Sequence, residues 1–270
     1  MEFLPVLFLM LRGMAFLAGV MLNGYILFVA GCRVETTATA VWFWNRALTD
    51  FIFIVFLLLR FTSFHMFSSA FLLTALSLDR CILVARPEWV RNHRTPRLAF
   101  IMVLGTWALS LGFSLRYGDL WESLNSPAST SMPFRLDEGR LKAAVAIQFL
   151  VGFLIPLALI LIPTFYVVLA AKLRRNRLIQ STKPLKILLG LVPSFFLCWL
   201  PYHFLLFSFI SAKYPLPLLN IGSSVACVLT YFSSWVNPIF YLTMDEEFLT
   251  YFQRARNPQT TDNSGPELAV

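Results

Sequence analysis

Seven long apolar stretches, separated by short polar segments, most constrain what this chain can fold into. Charge-free runs occupy Gly13–Cys32, Phe61–Leu78, Leu98–Leu115, Ala143–Ala171, Ile187–Ala212 and Tyr214–Met244. A seventh candidate, Val41–Leu59, is interrupted by Arg46 and Asp50. A membrane crossing takes about 20 largely apolar helical residues. With 58% hydrophobic residues, 27 of them Phe, and 13% charged residues, a soluble domain of this length could not hide its apolar surface. The expected fold class is an all-α membrane protein, a seven-transmembrane helix bundle. The first apolar run is full length, so a helix is expected there rather than the short core of a cleaved leader.

Basic residues orient the bundle. With the N-terminus outside, the inner segments hold 14 Lys and Arg, among them Arg80, Arg86, Arg91, Arg94 and Arg97. The outer segments hold 6, including Arg60, Arg116 and Lys142. The bias puts the N-terminus outside and the C-terminus inside. The net charge of +8 then belongs to inner loops facing anionic lipid and a partner protein. It does not argue for nucleic acid, since no basic stripe is interleaved with exposed aromatics. Cys32, Cys81, Cys198 and Cys227 all fall within spans or at their inner ends, so no outer disulfide is expected and no metal spacing exists. The sequence has no Asn-x-Ser/Thr acceptor. No cofactor is implied.

The spans are expected at residues 4–31, 41–59, 61–85, 97–117, 141–173, 184–210 and 218–243 of a domain covering 1–256. A short amphipathic helix at 245–256 and a disordered tail at 257–270 follow. The second and third spans raise a geometric question. The 19 residues Val41–Leu59 reach about 28 Å and the 20 residues Phe61–Arg80 about 30 Å, against a core about 30 Å thick. A tight hairpin around Arg60 is therefore expected. The alternative, one continuous helix over Val41–Ala85, would put the Arg-rich 86–97 segment outside, against the charge bias.

Three strings carry chemistry. Asp79-Arg80-Cys81 ends the third span, where an arginine is costly unless paired, and Asp79 is the local partner. Taken alone, Arg80 could equally be a basic anchor at the membrane surface. Cys198-Trp199-Leu200-Pro201 puts a helix-breaking proline in the sixth span, with Trp199 beneath a pocket floor. Asn237-Pro238-Ile239-Phe240-Tyr241 repeats the device in the seventh, where Asn237 can help satisfy the carbonyl that Pro238 frees. Arg46 and Asp50 are four residues apart and share a helix face, so an internal ion pair is expected. The competing reading has Arg46 snorkelling to the inner interface. Met66, Gln148, Tyr202 and His203 are expected to face the interior above Trp199 as ligand-pocket candidates. His203 reads equally well as a hydrogen-bonded core histidine.

These strings, in this order and at these depths, resemble the rhodopsin-like (class A) G-protein-coupled receptors. Asn23, Asp50, Trp107 and Pro156 supply an anchor in each of four other spans. Asn92-His93-Arg94-Thr95 after Arg86-Pro87, the run Phe149–Pro156 and Lys183-Pro184-Leu185-Lys186 resemble the chemoattractant branch of formyl-peptide, chemerin and second prostaglandin D2 receptors. The resemblance implies an inhibitory heterotrimeric G protein as partner, released Arg80 meeting it, and a small lipid or peptide ligand. Asp50 is the position that holds sodium in related receptors; with Arg46 beside it, no sodium site is expected.

The chain also departs from that pattern. Only 29 residues separate Asp50 from Arg80, far fewer than an intact receptor of this kind carries, so the outer part of the third span and its cysteine are missing. Arg46 stands where these receptors have an apolar residue. Thr164 stands where an inward tyrosine is usual, and Pro163 is expected to break the helix beside it. Pro193 is expected to add a kink in the sixth span. A second reading follows: a truncated, pseudogene-like product that does not signal, is retained in the endoplasmic reticulum, or pairs with intact receptors. A transporter would want repeats or polar pore stripes. An enzyme would want a nucleophile–base or metal cluster. The sequence has neither.

Overall fold

The computed structural model describes residues 3–32, 37–55, 62–117, 138–173, 187–211 and 216–244, with residues 249 and 253. The described residues form helices: α1 (Phe3–Cys32), α2 (Ala38–Val55), α3 (Thr62–Ala85), α4 (Pro87–His93) and α5 (Pro96–Tyr117). Next come α6 (Glu138–Phe149), a π-helical turn (Leu150–Leu154), α7 (Ile155–Leu173), α8 (Leu188–Ser211) and α9 (Leu216–Met244). Of the helix expected at 245–256, only Leu249 and Gln253 are described, and the tail from 257 lies outside the described residues.

Burial sorts the helices by role. Six are long and apolar enough to cross a membrane. In the most apolar stretch of α3, 72% of residues are buried; in that of α1, 11% are. Helix α3 is therefore the axis of the bundle and α1 lies at its edge. The outward side chains of α1 and α5, such as Leu9, Met10, Met14, Ile101 and Leu104, are apolar and suit lipid. Helix α2 is not among the six. It is 18 residues long and carries Asn45, Arg46 and Asp50, all buried. It packs against α1, α3, α5 and α9, so protein rather than lipid meets its polar face.

The antiparallel pair α2–α3 excludes the continuous-helix alternative. Residues 50 and 65 would be about 22 Å apart along one helix. Instead His65 Nε2 lies 3.0 Å from Asp50 Oδ1, and Arg46 Nη1 donates to the Ser69 carbonyl at 2.8 Å. The connecting residues 56–61, including Arg60, lie outside the described set.

Two local expectations need correcting. The segment after α3 is not simply a loop. Pro87 starts α4, Glu88 sits in its first turn and Arg91 and His93 in its last, the charge order that suits a helix dipole. Nor does Pro163 break its helix, since α7 runs through it. Helices α8 and α9 likewise run through Pro193, Pro201 and Pro238. In lipid the ladder has no water to fall back on, so the helix persists and neighbours absorb the lost bond. The fifth span does deviate, but two turns or more earlier. Pro156 has no N–H to donate, and the chain widens into a π turn in which Ile155 N–H reaches back to Leu150 O. Gly152 in that turn faces α3. A Cβ there would stand 2.7 Å from Met66 Cε and 3.3 Å from Phe67 Cε1. The glycine lets the fifth span close on the axis helix.

Candidate functional site

Asp50 is the hub of the interior. It is fully buried, and an isolated carboxylate there would be several kcal/mol too costly to keep charged. Three helices answer it. From α3, His65 Nε2 stands 3.0 Å from Oδ1. From α9, Asn237 Nδ2 donates to Oδ2 at 3.1 Å. From its own helix, Arg46 Nε lies 3.3 Å from Oδ2, close enough for charge attraction though not aligned as a hydrogen bond. The Arg46 side chain is buried with Asp50 rather than extended toward the inner interface. Asn237 thus spends its amide on Asp50, not on the carbonyl that Pro238 frees, which corrects the sequence reading. Asn23 extends the network, donating to Ser234 O and Gly19 O at 2.9 Å each, so α1 joins α9.

His65 is the residue the sequence reading missed. Its ring stacks on Phe53 at 3.8 Å and 10°. Its Nε2 is also 3.2 Å from Ser234 Oγ and 3.4 Å from Ser69 Oγ. A hydrogen on Nε2 is the arrangement a carboxylate partner favours. A lone histidine in an apolar run gives little signal, because its partners come from α2 and α9 and no spacing rule links them.

Trp199 sits between this network and the pocket candidates. Its buried ring lies 5.5 Å from His65 and 5.6 Å from Tyr202. Met66, Gln148, Tyr202 and His203 converge above it, all buried. Gln148 Nε2 donates to Tyr202 Oη at 3.1 Å and approaches Met66 Sδ at 3.8 Å. His203 is walled by Phe149, Phe153 and Tyr202, with ring centroids 5.3 to 5.5 Å away. Both His203 nitrogens and Gln148 Oε1 lack a hydrogen-bond partner among the described residues. The bland expectation of a hydrogen-bonded core histidine therefore does not describe His203. Arg116 and Lys142 are exposed, at the ends of α5 and α6.

The inner end differs from expectation in one contact. Arg80 is buried, with its guanidinium 5.6 Å from the Phe43 ring centroid. Asp79 does not turn to it. Arg94 Nε and Nη2 reach the two Asp79 oxygens at 3.0 Å each, and Nη2 also donates to Thr39 Oγ1 at 2.7 Å. Adjacent helical residues point about 100° apart, so residue 79 meets the α4–α5 connection while residue 80 turns inward. Arg94 therefore clamps the start of α2 to the end of α3. Thr164 of α7 faces Cys81 of α3 at 3.6 Å. Tyr241 lies in the last turn of α9, and its side chain lies outside the described set. Among the described residues no group of His, Cys, Asp and Glu could hold a metal ion, and Cys81, Cys198 and Cys227 are free thiols.

The family model described as the seven-transmembrane receptor (rhodopsin family) matches residues 25–241. Chemerin-like receptor 1 of Homo sapiens is 32% identical, over 90% of this chain and 77% of its own length. N-formyl peptide receptor 3 of Pongo pygmaeus is also 32% identical, over 89% and 80%. Formyl peptide receptor 2 of Mus musculus is 30% identical, over 92% and 82%. This is a receptor family, not an enzyme family, and its members cross the membrane several times. The chain belongs to the rhodopsin family of seven-transmembrane, G-protein-coupled receptors, in the chemoattractant branch.

Proposed function

We propose that this chain is a ligand-regulated receptor that couples to an inhibitory heterotrimeric G protein, with its N-terminus outside the cell. The observation that carries the reading is the double contact of Trp199, with Tyr202 on the pocket side and His65 on the network side. A ligand that displaces Tyr202 or His203 presses on the same ring that touches the junction of α2, α3 and α9. Gln148 and His203 supply unfilled hydrogen-bonding atoms for it. The names of the chemerin-like and formyl peptide relatives support a peptide ligand, and a small lipid acid can accept from the one N–H of a neutral His203. Loosening the Asn237–Asp50 bond beside Pro238 frees the inner end of α9 with Tyr241. Release of the Asp79–Arg94 clamp lets Arg80 meet the G protein. Asp50 holds no sodium, because Arg46 already supplies its counter-charge.

The test is nucleotide exchange on an inhibitory G protein in membranes holding the chain. Arg80→Ala is expected to abolish exchange while leaving expression unchanged. Exchange unaffected by that change would falsify the assignment. Replacing sodium with choline is expected to leave thermal stability and exchange unchanged.

A second reading, a receptor-derived chain that does not signal, has its own support. The spacing from Asp50 to Arg80 is short, outer cysteines and glycan acceptors are missing from the sequence, and the human alignment runs over 290 positions, more than the 270 residues here. On this reading most of the protein stays in the endoplasmic reticulum or pairs with intact receptors. Surface staining of a tagged chain against its total expression decides; a mainly surface population sinks the second reading.

A further inference from the structure

Among the described residues, the buried side chains with a fixed charge are Arg46, Asp50 and Arg80, and all three lie on the inner side of Trp199. The region on its outer side has buried polar atoms and no such charge. What those atoms leave unanswered names a ligand chemistry, an inference that rests on reading this region as the ligand pocket. Gln148 gives its amide nitrogen to Tyr202 Oη at 3.1 Å, with Met66 Sδ at 3.8 Å, and its Oε1 has no partner among the described residues. Both His203 nitrogens are enclosed and likewise unpartnered. A neutral imidazole offers one N–H and one accepting nitrogen. The unanswered set is therefore two acceptors and one donor. The two residues share one cluster. Tyr202, which takes the Gln148 bond, meets the His203 ring edge-on at 5.5 Å, and Phe149, next to Gln148 in the chain, meets it at 5.3 Å.

The complement of that set is two donors and one acceptor on an uncharged group. A carboxylate can take the one N–H, but it leaves both acceptors unanswered and buries a charge with no counter-charge. An ammonium brings donors and the same uncompensated charge. An ester only accepts. A primary amide carries two N–H and one carbonyl and is neutral. Phe149 also meets Phe207 edge-on at 5.3 Å, and Phe207 is exposed, so one aromatic ring stands between the His203 cage and the surface. That outlet is apolar and suits an apolar body behind the amide. We propose that the region above Trp199 selects an uncharged primary amide borne on an apolar body. Gln148 Oε1 and the bare His203 nitrogen accept from its N–H groups, and the His203 N–H donates to its carbonyl.

The experiment uses the full chain in phosphatidylcholine nanodiscs, with empty discs as the blank, read by native mass spectrometry and thermal unfolding. One arm compares oleamide with oleate and methyl oleate. The other compares acetyl-leucyl-phenylalanine amide with its free acid and its methyl ester. Binding of oleamide assigns a lipid amide as the source, and binding of the dipeptide amide a peptide end. The bound amide is expected to outdo its acid and ester by about tenfold, and to bind about tenfold more weakly to Gln148→Leu or His203→Phe, as for a lost buried hydrogen bond. His203→Asn keeps a donor and an acceptor and should restore much of the binding. If Gln148→Leu does not fold, His203→Phe carries the test. An acid or ester bound as tightly as its amide, amide binding unchanged in these variants, or no binding of either amide overturns the proposal. Nucleotide exchange on the G protein separates this outcome from the receptor reading. Exchange driven by an acid and not by its amide sinks the amide and keeps the receptor. Amide binding with the expected losses in the variants, but without any change in exchange, keeps the amide site and sinks the coupling.

Discussion

Trp199 divides two buried polar regions that solve the same problem in opposite ways. On its inner side, Asp50 is met by His65, Asn237 and Arg46 from three helices. On its outer side, His203 sits in a cage of Phe149, Phe153 and Tyr202 with both nitrogens unpartnered among the described residues. A charge buried in apolar surroundings must be answered fully, so the inner region is locked in register. A neutral imidazole can stay unanswered at a cost of about 1–3 kcal/mol. That cost is recoverable by a ligand with the right donor or acceptor. The inner region thus suits a state-setting junction and the outer one a recognition site.

The largest expected effect breaks the inner region. Asp50→Asn strands Arg46 and should lower stability in detergent by about 3–5 kcal/mol, the usual cost of orphaning one partner of a buried pair. Arg46→Leu combined with Asp50→Asn should recover most of that loss. Thermal unfolding of the three variants checks both statements; a double variant no better than the single one removes the pair from the account.

A smaller effect is expected at His65. His65→Ala leaves Asp50 Oδ1 without its donor and Phe53 without its stacking partner, for a loss of about 2–3 kcal/mol. His65→Asn keeps a donor and should retain about half of that stability. If alanine and asparagine behave alike, packing alone accounts for residue 65.

Gly190 tests whether the inner ends of α8 and α9 are set by contact. A Cβ there would stand 2.5 Å from Phe240 Cδ1. Gly190→Ala should cost about 1–3 kcal/mol by overpacking and push the two helices apart, which should raise ligand-independent nucleotide exchange. Unchanged basal exchange in a folded variant would show that Phe240 simply rotates away.

The smallest effect on stability should come from the outer region. His203→Phe removes an unpartnered polar ring from an aromatic cage and should change stability by less than about 1 kcal/mol. Its ligand response should nevertheless fall. A loss as large as that of Asp50→Asn would mean that the two regions do not differ in kind.

What the sequence determined by itself follows from local and one-dimensional rules. Apolar run length placed the spans, and the strings around Arg80, Trp199 and Asn237 carried the family. Helical spacing also puts Tyr202 and His203 near Trp199, while Gln148 reaches Tyr202 and Met66 from another helix. The Arg46–Asp50 spacing gave one contact, since four residues on a helix is a local distance. What only the tertiary structure decided are the contacts between helices remote in sequence. His65 reaches Asp50 because α3 folds back along α2, and it reaches Ser234 because α9 packs beside both. Arg94 takes Asp79 because α4 returns the chain beneath α2 and α3. Pro163 stays helical because a backbone in lipid has no water to bond with instead. For His65 and Arg94 the physical reason is the same: a buried polar group takes whatever partner the packed neighbours bring within hydrogen-bond reach, and distance along the chain does not enter that choice.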